Sequence, residues 1–195
     1  MNKLFTKITA TVLVSMLGVM NVSAAALSGM SDTLSSAKIG TVSNHSFVFT
    51  TPTGIAAGST TLITFPTDFV IPVGLSYTDV DINIGGAYVG SSTLGSVPSG
   101  ATVGVARIST TTLLITNGTT PISAGAAVYI RIGTNAINQT TGVNQIINTT
   151  TNGNKSIGIT GGTSTPMFDS GTTTVNILND VTVLVDALVP QSITS

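Results

Sequence analysis

The chain has 195 residues, room for one sizeable domain and little more. It contains no cysteine, which excludes a disulfide framework and thiolate metal sites, and only 7% of it is charged, against about 25% in an ordinary globular domain. Six Lys and Arg stand beside seven acids, all of them aspartate, so no basic surface exists for nucleic acid or an anionic bilayer.

The N-terminus reads as an export signal. Lys3 and Lys7 form a positive start, Ile8 to Val22 is mostly apolar, and Ser23-Ala24-Ala25-Ala26 supplies the small residues that signal peptidase requires. The apolar stretch is shorter than the roughly 20 residues needed to cross a bilayer. Residues 1–25 are therefore expected to be removed, leaving four basic residues against the seven aspartates.

Beyond the signal, short apolar–polar alternations follow one another between Gly, Pro, Asn and Ser. His45, Phe47 and Phe49 form the first, Thr61, Ile63 and Phe65 the second, and Val80, Ile82 and Ile84 the third. Val103, Val105 and Arg107 lead through Ser109-Thr110 into Leu113 and Ile115, which predicts a hairpin. Val128, Ile130 and Ile132 come next, with Tyr129 and Arg131 facing the other way. Weaker runs cover 146–150 and 157–160, and Thr173 to Leu178 is a complete alternation. Period-2 patterning of this length marks strands with one buried and one wet face. Helical periodicity is missing after the signal, and turn pairs recur at Gly85-Gly86, Asn117-Gly118 and Asn152-Gly153. The expected architecture is an all-β antiparallel sandwich over residues 26–178, with a barrel as the alternative that spacing leaves open. Residues 179–195, including Val181 to Leu188, read as a final strand or a linker to a following module.

The phrase GSTTLITFPTDFVIP, from Gly58 to Pro72, resembles the strand-and-corner segment of immunoglobulin-like adhesin modules on bacterial surfaces. TLLIT and ISAGAAVYIRI, between Thr112 and Ile132, resemble the paired strands that follow it in such modules. The resemblance implies an Ig-like sandwich with a display or adhesion role, as in adhesin and S-layer-like proteins. It carries over no binding residues, because these families bind through variable loops.

The candidate chemistry is sparse. Phe168-Asp169-Ser170-Gly171-Thr172 resembles an aspartic-protease loop, but that mechanism needs a second carboxylate loop, and none is present. A tight turn at Asp169 feeding the next strand is the simpler reading. Asp79, Asp81 and Asn83 have the spacing of a calcium loop, yet Ile84 and Gly90 stand where an EF-hand needs Gly and Glu. A solvent-facing acidic strand, such as an edge protected by its charge, is the simpler account, and calcium is the one cofactor kept in view. His45, the single histidine, has no nucleophile motif near it and is expected to be half-buried in a strand. Sequons occur at Asn44, Asn117, Asn138, Asn148 and Asn154. Lys38 and Asn176 occupy places where Cys-free surface sandwiches sometimes form a lysine–asparagine crosslink, although ordinary solvated lysines are the simpler account.

No catalytic constellation emerges. The sequence points to a secreted or cell-surface structural or adhesive module that is not an enzyme and does not enter the membrane once its signal is removed. Its partners would be other surface proteins, copies of itself, or surface glycans. The alternative is a carbohydrate-binding sandwich. With no Trp in the chain, Tyr77 and Tyr88 would be its loop-borne sugar platforms.

Overall fold

The computed structural model describes residues 25–93, 98, 100–161 and 169–180, so the expected signal and the run from Val181 to Leu188 lie outside the described residues. The described residues form thirteen strands: β1 (Ser28–Leu34), β2 (Val42–Ser43), β3 (His45–Thr51), β4 (Thr60–Thr64), β5 (Val80–Ile84), β6 (Ala87–Val89), β7 (Ser91–Thr93), β8 (Val103–Arg107), β9 (Thr112–Asn117), β10 (Ala126–Ile132), β11 (Ile146–Ile147), β12 (Gly153–Gly161) and β13 (Ser170–Ile177). They pair into a five-stranded sheet of order β1-β3-β10-β5-β6 and a six-stranded sheet of order β13-β12-β4-β9-β8-β7. β2 and β11 form a separate small ladder. Among the described residues all pairings between these strands are antiparallel except β7 with β8. The molecule is thus an all-β sandwich, and among the described residues no helix is long and apolar enough to cross a membrane.

The alternation explains the layers. In β3 the inward set His45, Phe47, Phe49 and Thr51 is buried while Ser46, Val48 and Thr50 are half-buried. β10 buries Val128, Ile130 and Ile132 and turns Tyr129 and Arg131 outward. The opposing sheet contributes Ile63, Leu113, Ile115, Val103, Val105, Ile157, Ile159, Val175 and Ile177 to one continuous core. At about 25 cal/mol per Å² of apolar surface removed from water, this burial is the main force holding the sheets together.

Backbone bonds link the two sheets on both sides. On one side Ala26 bridges Ser170 in parallel, with Leu27 N–H donating to Ser170 O (2.9 Å) and Ser170 N–H to Ala25 O (3.1 Å). This stitches the β1 side of one sheet to β13 of the other. On the other side the chain crosses between sheets at Gly90, whose carbonyl accepts the Val103 N–H at 2.8 Å.

His45 is fully buried rather than half-buried as its flanking residues suggested. Its Nδ1 lies 2.7 Å from Asp32 Oδ2, and a carboxylate there can only accept, which places a proton on Nδ1. The ring stacks on Phe47 at 5.8 Å and takes Phe65 edge-on at 5.1 Å. Phe69 closes the same cluster. The corner segment after β4 therefore places aromatic rings against β3. Asp68, from the same corner, accepts from Lys155 Nζ at 2.7 Å and from the Thr149 and Thr151 hydroxyls.

Candidate functional site

The outer face of the five-stranded sheet carries an open groove of about 610 Å³ lined by Asp81, Asn83, Gly85, Gly86, Ala127, Tyr129, Arg131 and Asn138. Its floor follows from strand register. β10 pairs with β5 so that Tyr129 lies opposite Asn83 and Arg131 opposite Asp81, which sets four side chains in one block on the outward face. The glycine turn between β5 and β6 forms one rim and Asn138 the other. Tyr129 is 43% exposed. Arg131 is exposed and makes no ion pair among the described residues. Asn83 Oδ1 is buried with no hydrogen-bond partner among the described residues.

The Asn138 rim belongs to the segment 133–145, which two carboxylates anchor. Asp81 Oδ2 accepts from Ile137 N–H (2.7 Å), Asn138 N–H (2.9 Å) and the Asn138 side-chain amide (2.9 Å). Asp79 Oδ1 accepts from Val143 N–H (2.7 Å) and Asn144 N–H (2.9 Å), and its Oδ2 from Ser76 N–H and the Asn144 amide. Close backbone approach completes the segment. Gly133, at φ +116°, has Asn44 Oδ1 where a Cβ would stand, and Gly142 lies against the Gly133 carbonyl.

The expected solvent-facing acidic edge is therefore not what forms. Asp79 sits in a single 3-10 turn (Tyr77–Asp79), Asp79 and Asp81 are buried, and β5 lies between β10 and β6 rather than at an edge. The D-x-D spacing positions two carboxylates for amides 56–65 residues away in sequence. As calcium ligands beside Asn83, Asp79 and Asp81 would have to exchange these N–H donors for a cation. Among the described residues no group of three or more His, Asp or Glu is arranged to hold a metal.

Asp169 is also buried, accepting from Thr51 Oγ1 (2.7 Å), Thr53 N–H (2.8 Å), Thr53 Oγ1 (2.7 Å) and Ala25 N–H (3.1 Å). It joins the end of β3 to the start of β13 rather than merely shaping a turn. His45 Nε2 is enclosed by phenylalanine rings, with no hydrogen-bond partner among the described residues. Lys38 and Asn176 are both exposed, so the lysine–asparagine crosslink lacks the buried setting it requires. Of the sequons, Asn117 and Asn148 are buried, with side-chain amides donating to backbone carbonyls. Neither is open to a glycan in the folded chain.

Tyr77 and Tyr88, the expected sugar platforms, are half-buried, and Tyr77 packs on the core. Among the described residues the exposed ring is Tyr129. Its outward direction was legible from Val128, Ile130 and Ile132, but its groove is built with Asn138 from a separate loop, which no local pattern reveals.

Three aspartates are held below the ordinary carboxylate range. For Asp68 the Lys155 ammonium is the main cause, followed by the Thr149 hydroxyl. For Asp79 and Asp169 burial pushes the carboxyl up, but the converging N–H and O–H donors outweigh it and leave the net shift downward. A carboxyl with a depressed folded-state pKa stabilises the fold above its unfolded value and loses that contribution as pH falls through the folded value. Stability measured by urea unfolding should be level between about pH 5 and pH 8 and fall steadily below about pH 4. A flat profile down to pH 2 would contradict this account.

No protein-family model matches the chain, and no curated protein does. Among solved structures, BslA, described as a bacterial hydrophobin, is 9% identical over 76% of this chain and 94% of its own, with a TM-score of 0.40. The collagen-binding domain of a Staphylococcus aureus adhesin is 9% identical over 76% and 95%, with a TM-score of 0.38. AvmM, which catalyses macrocyclization in alchivemycin A biosynthesis, is 10% identical over 80% and 92%, with a TM-score of 0.30. Likenesses of this degree say nothing of what the chain binds or does. What its own strands and side chains define is a β-sandwich with a polar groove on one outer face.

Proposed function

We propose that the chain is an exported surface module that works by adhesion rather than catalysis, and that the groove over β10 and β5 is where it makes contact. The observation that carries this reading is the block of Tyr129, Arg131, Asn83 and Asn138, an exposed ring surrounded by groups able to form further hydrogen bonds. An aromatic face packs against the C–H surface of a sugar, while side-chain amides and a guanidinium bond to its hydroxyls. The ligand class that fits is a hydroxyl-rich glycan, which joins the adhesive reading to carbohydrate binding. Catalysis is not part of the proposal, because the carboxylates described above already accept donors from the fold itself.

A glycan array probed with the exported protein, followed by calorimetry on the best binder, tests this. Tyr129→Ala should weaken binding about tenfold or more, equivalent to roughly 1.4 kcal/mol. It should leave the melting temperature within a few degrees, since the ring lies outside the core. Binding that is indifferent to both Tyr129→Ala and Arg131→Ala would remove the groove from the account. Absence of glycan binding by the unaltered protein would remove the glycan.

A further inference from the structure

Asp169 is a buried carboxylate whose four donors are all neutral: two threonine hydroxyls, the Thr53 N–H and the Ala25 N–H. Among the described residues no cation lies within ion-pair distance of it. A buried charge is normally matched by an opposite one. The donor at 3.1 Å is the backbone nitrogen of Ala25, which lies within the run Ser23-Ala24-Ala25-Ala26, where small residues permit cleavage after Ala24, Ala25 or Ala26.

These bonds are not equivalent for the fold. Cleavage after Ala25 removes the nitrogen that Asp169 binds and the carbonyl that accepts the Ser170 N–H. Cleavage after Ala26 removes the Ala26–Ser170 bridge as well. Cleavage after Ala24 keeps every one of these contacts and replaces the Ala25 amide with an amine. We infer that export processing hydrolyses the Ala24–Ala25 bond and that the α-ammonium of Ala25 becomes the counter-ion of Asp169. Water supplies the hydroxyl to the Ala24 carbonyl and a proton to the Ala25 nitrogen, which is further protonated at neutral pH. The mature chain then begins one residue earlier than the boundary at Ala26 expected from sequence. The junction between the β1 and β13 sides gains a charge-assisted contact that the unprocessed chain lacks.

An ammonium held by a carboxylate has a raised pKa. Its stabilising contribution is complete below the unfolded value of about 8 and is lost as pH rises through the folded value.

Mass spectrometry of the exported protein should find Ala25 as the first residue. Thermal unfolding is then compared for three forms: the chain beginning at Ala25, the same chain extended by one residue, and the Ala25 chain selectively acetylated on its α-amine. The first should melt about 3–6 °C above the other two at pH 7, with the gap closing above about pH 9. Asp169→Asn should abolish the gap. Should that variant fail to fold, acetylation still decides the matter without altering Asp169. A first residue other than Ala25, or equal melting of all three forms, overturns the inference.

Discussion

Replacing Asp79 with Ala should destabilise the protein by about 3–5 kcal/mol, because it strands backbone N–H groups that have no other acceptor at that point. The carboxylate bridges two parts of the chain, the Ser76 turn on one side and Val143 and Asn144 on the other. Its loss should be felt first in the segment 133–145. Hydrogen exchange would show the Val143 and Asn144 amides losing protection before those of β3 or β10. Asp79→Asn keeps the shape but presents an amide N–H₂ to groups that are themselves donors, so it should rescue only part of the loss. A variant that unfolds at the same urea concentration as the parent would show that the buried carboxylate is dispensable.

Phe47→Ala should cost a similar amount, about 3–5 kcal/mol, for a different reason. Phe47 is 1% exposed, lies in β3 between β1 and β10, and touches both His45 and Phe65. Truncation removes a large apolar surface and leaves a space that neighbouring strands, fixed by their ladders, cannot close. For a domain of this size each kcal/mol moves the melting temperature by about 2–4 °C, so a drop of roughly 10 °C is expected. Phe47→Leu refills most of the volume and should lose much less. An alanine variant costing under about 1 kcal/mol would mean the core repacks freely, contrary to ordinary protein interiors.

The two substitutions also mark where the sequence could and could not be read. Phe47 belongs to an alternation whose inward face is evident from His45 to Phe49, and the same holds for Val128 to Ile132 and for the hairpin of β8 and β9. Local periodicity reports a buried face directly, so these strands and the sandwich class were legible. β1 was missed, because Ser28 to Leu34 is polar, largely unburied and interrupted by an irregularity between Ser28 and Ser31. The parallel pairing of β7 with β8 was hidden for another reason, since pairing direction depends on the path between strands and leaves no local trace. Asp79 and Asp81 show the limit most clearly. Two carboxylates two residues apart suit water, a cation or a set of amides, and the choice is made by a loop more than fifty residues later. The groove was half legible: the outward direction of Tyr129 and Arg131 was plain, while the wall that makes the face a groove was not.

The placement of the aspartates has one more effect. Asp32, Asp68, Asp79, Asp81 and Asp169 all accept donors from within the fold, which draws much of the chain's scarce negative charge inward. What faces the medium is correspondingly rich in hydroxyls and amides. Such an exterior keeps its hydration through neutral groups that ions do not screen, so its behaviour should change little between dilute and strongly saline surroundings.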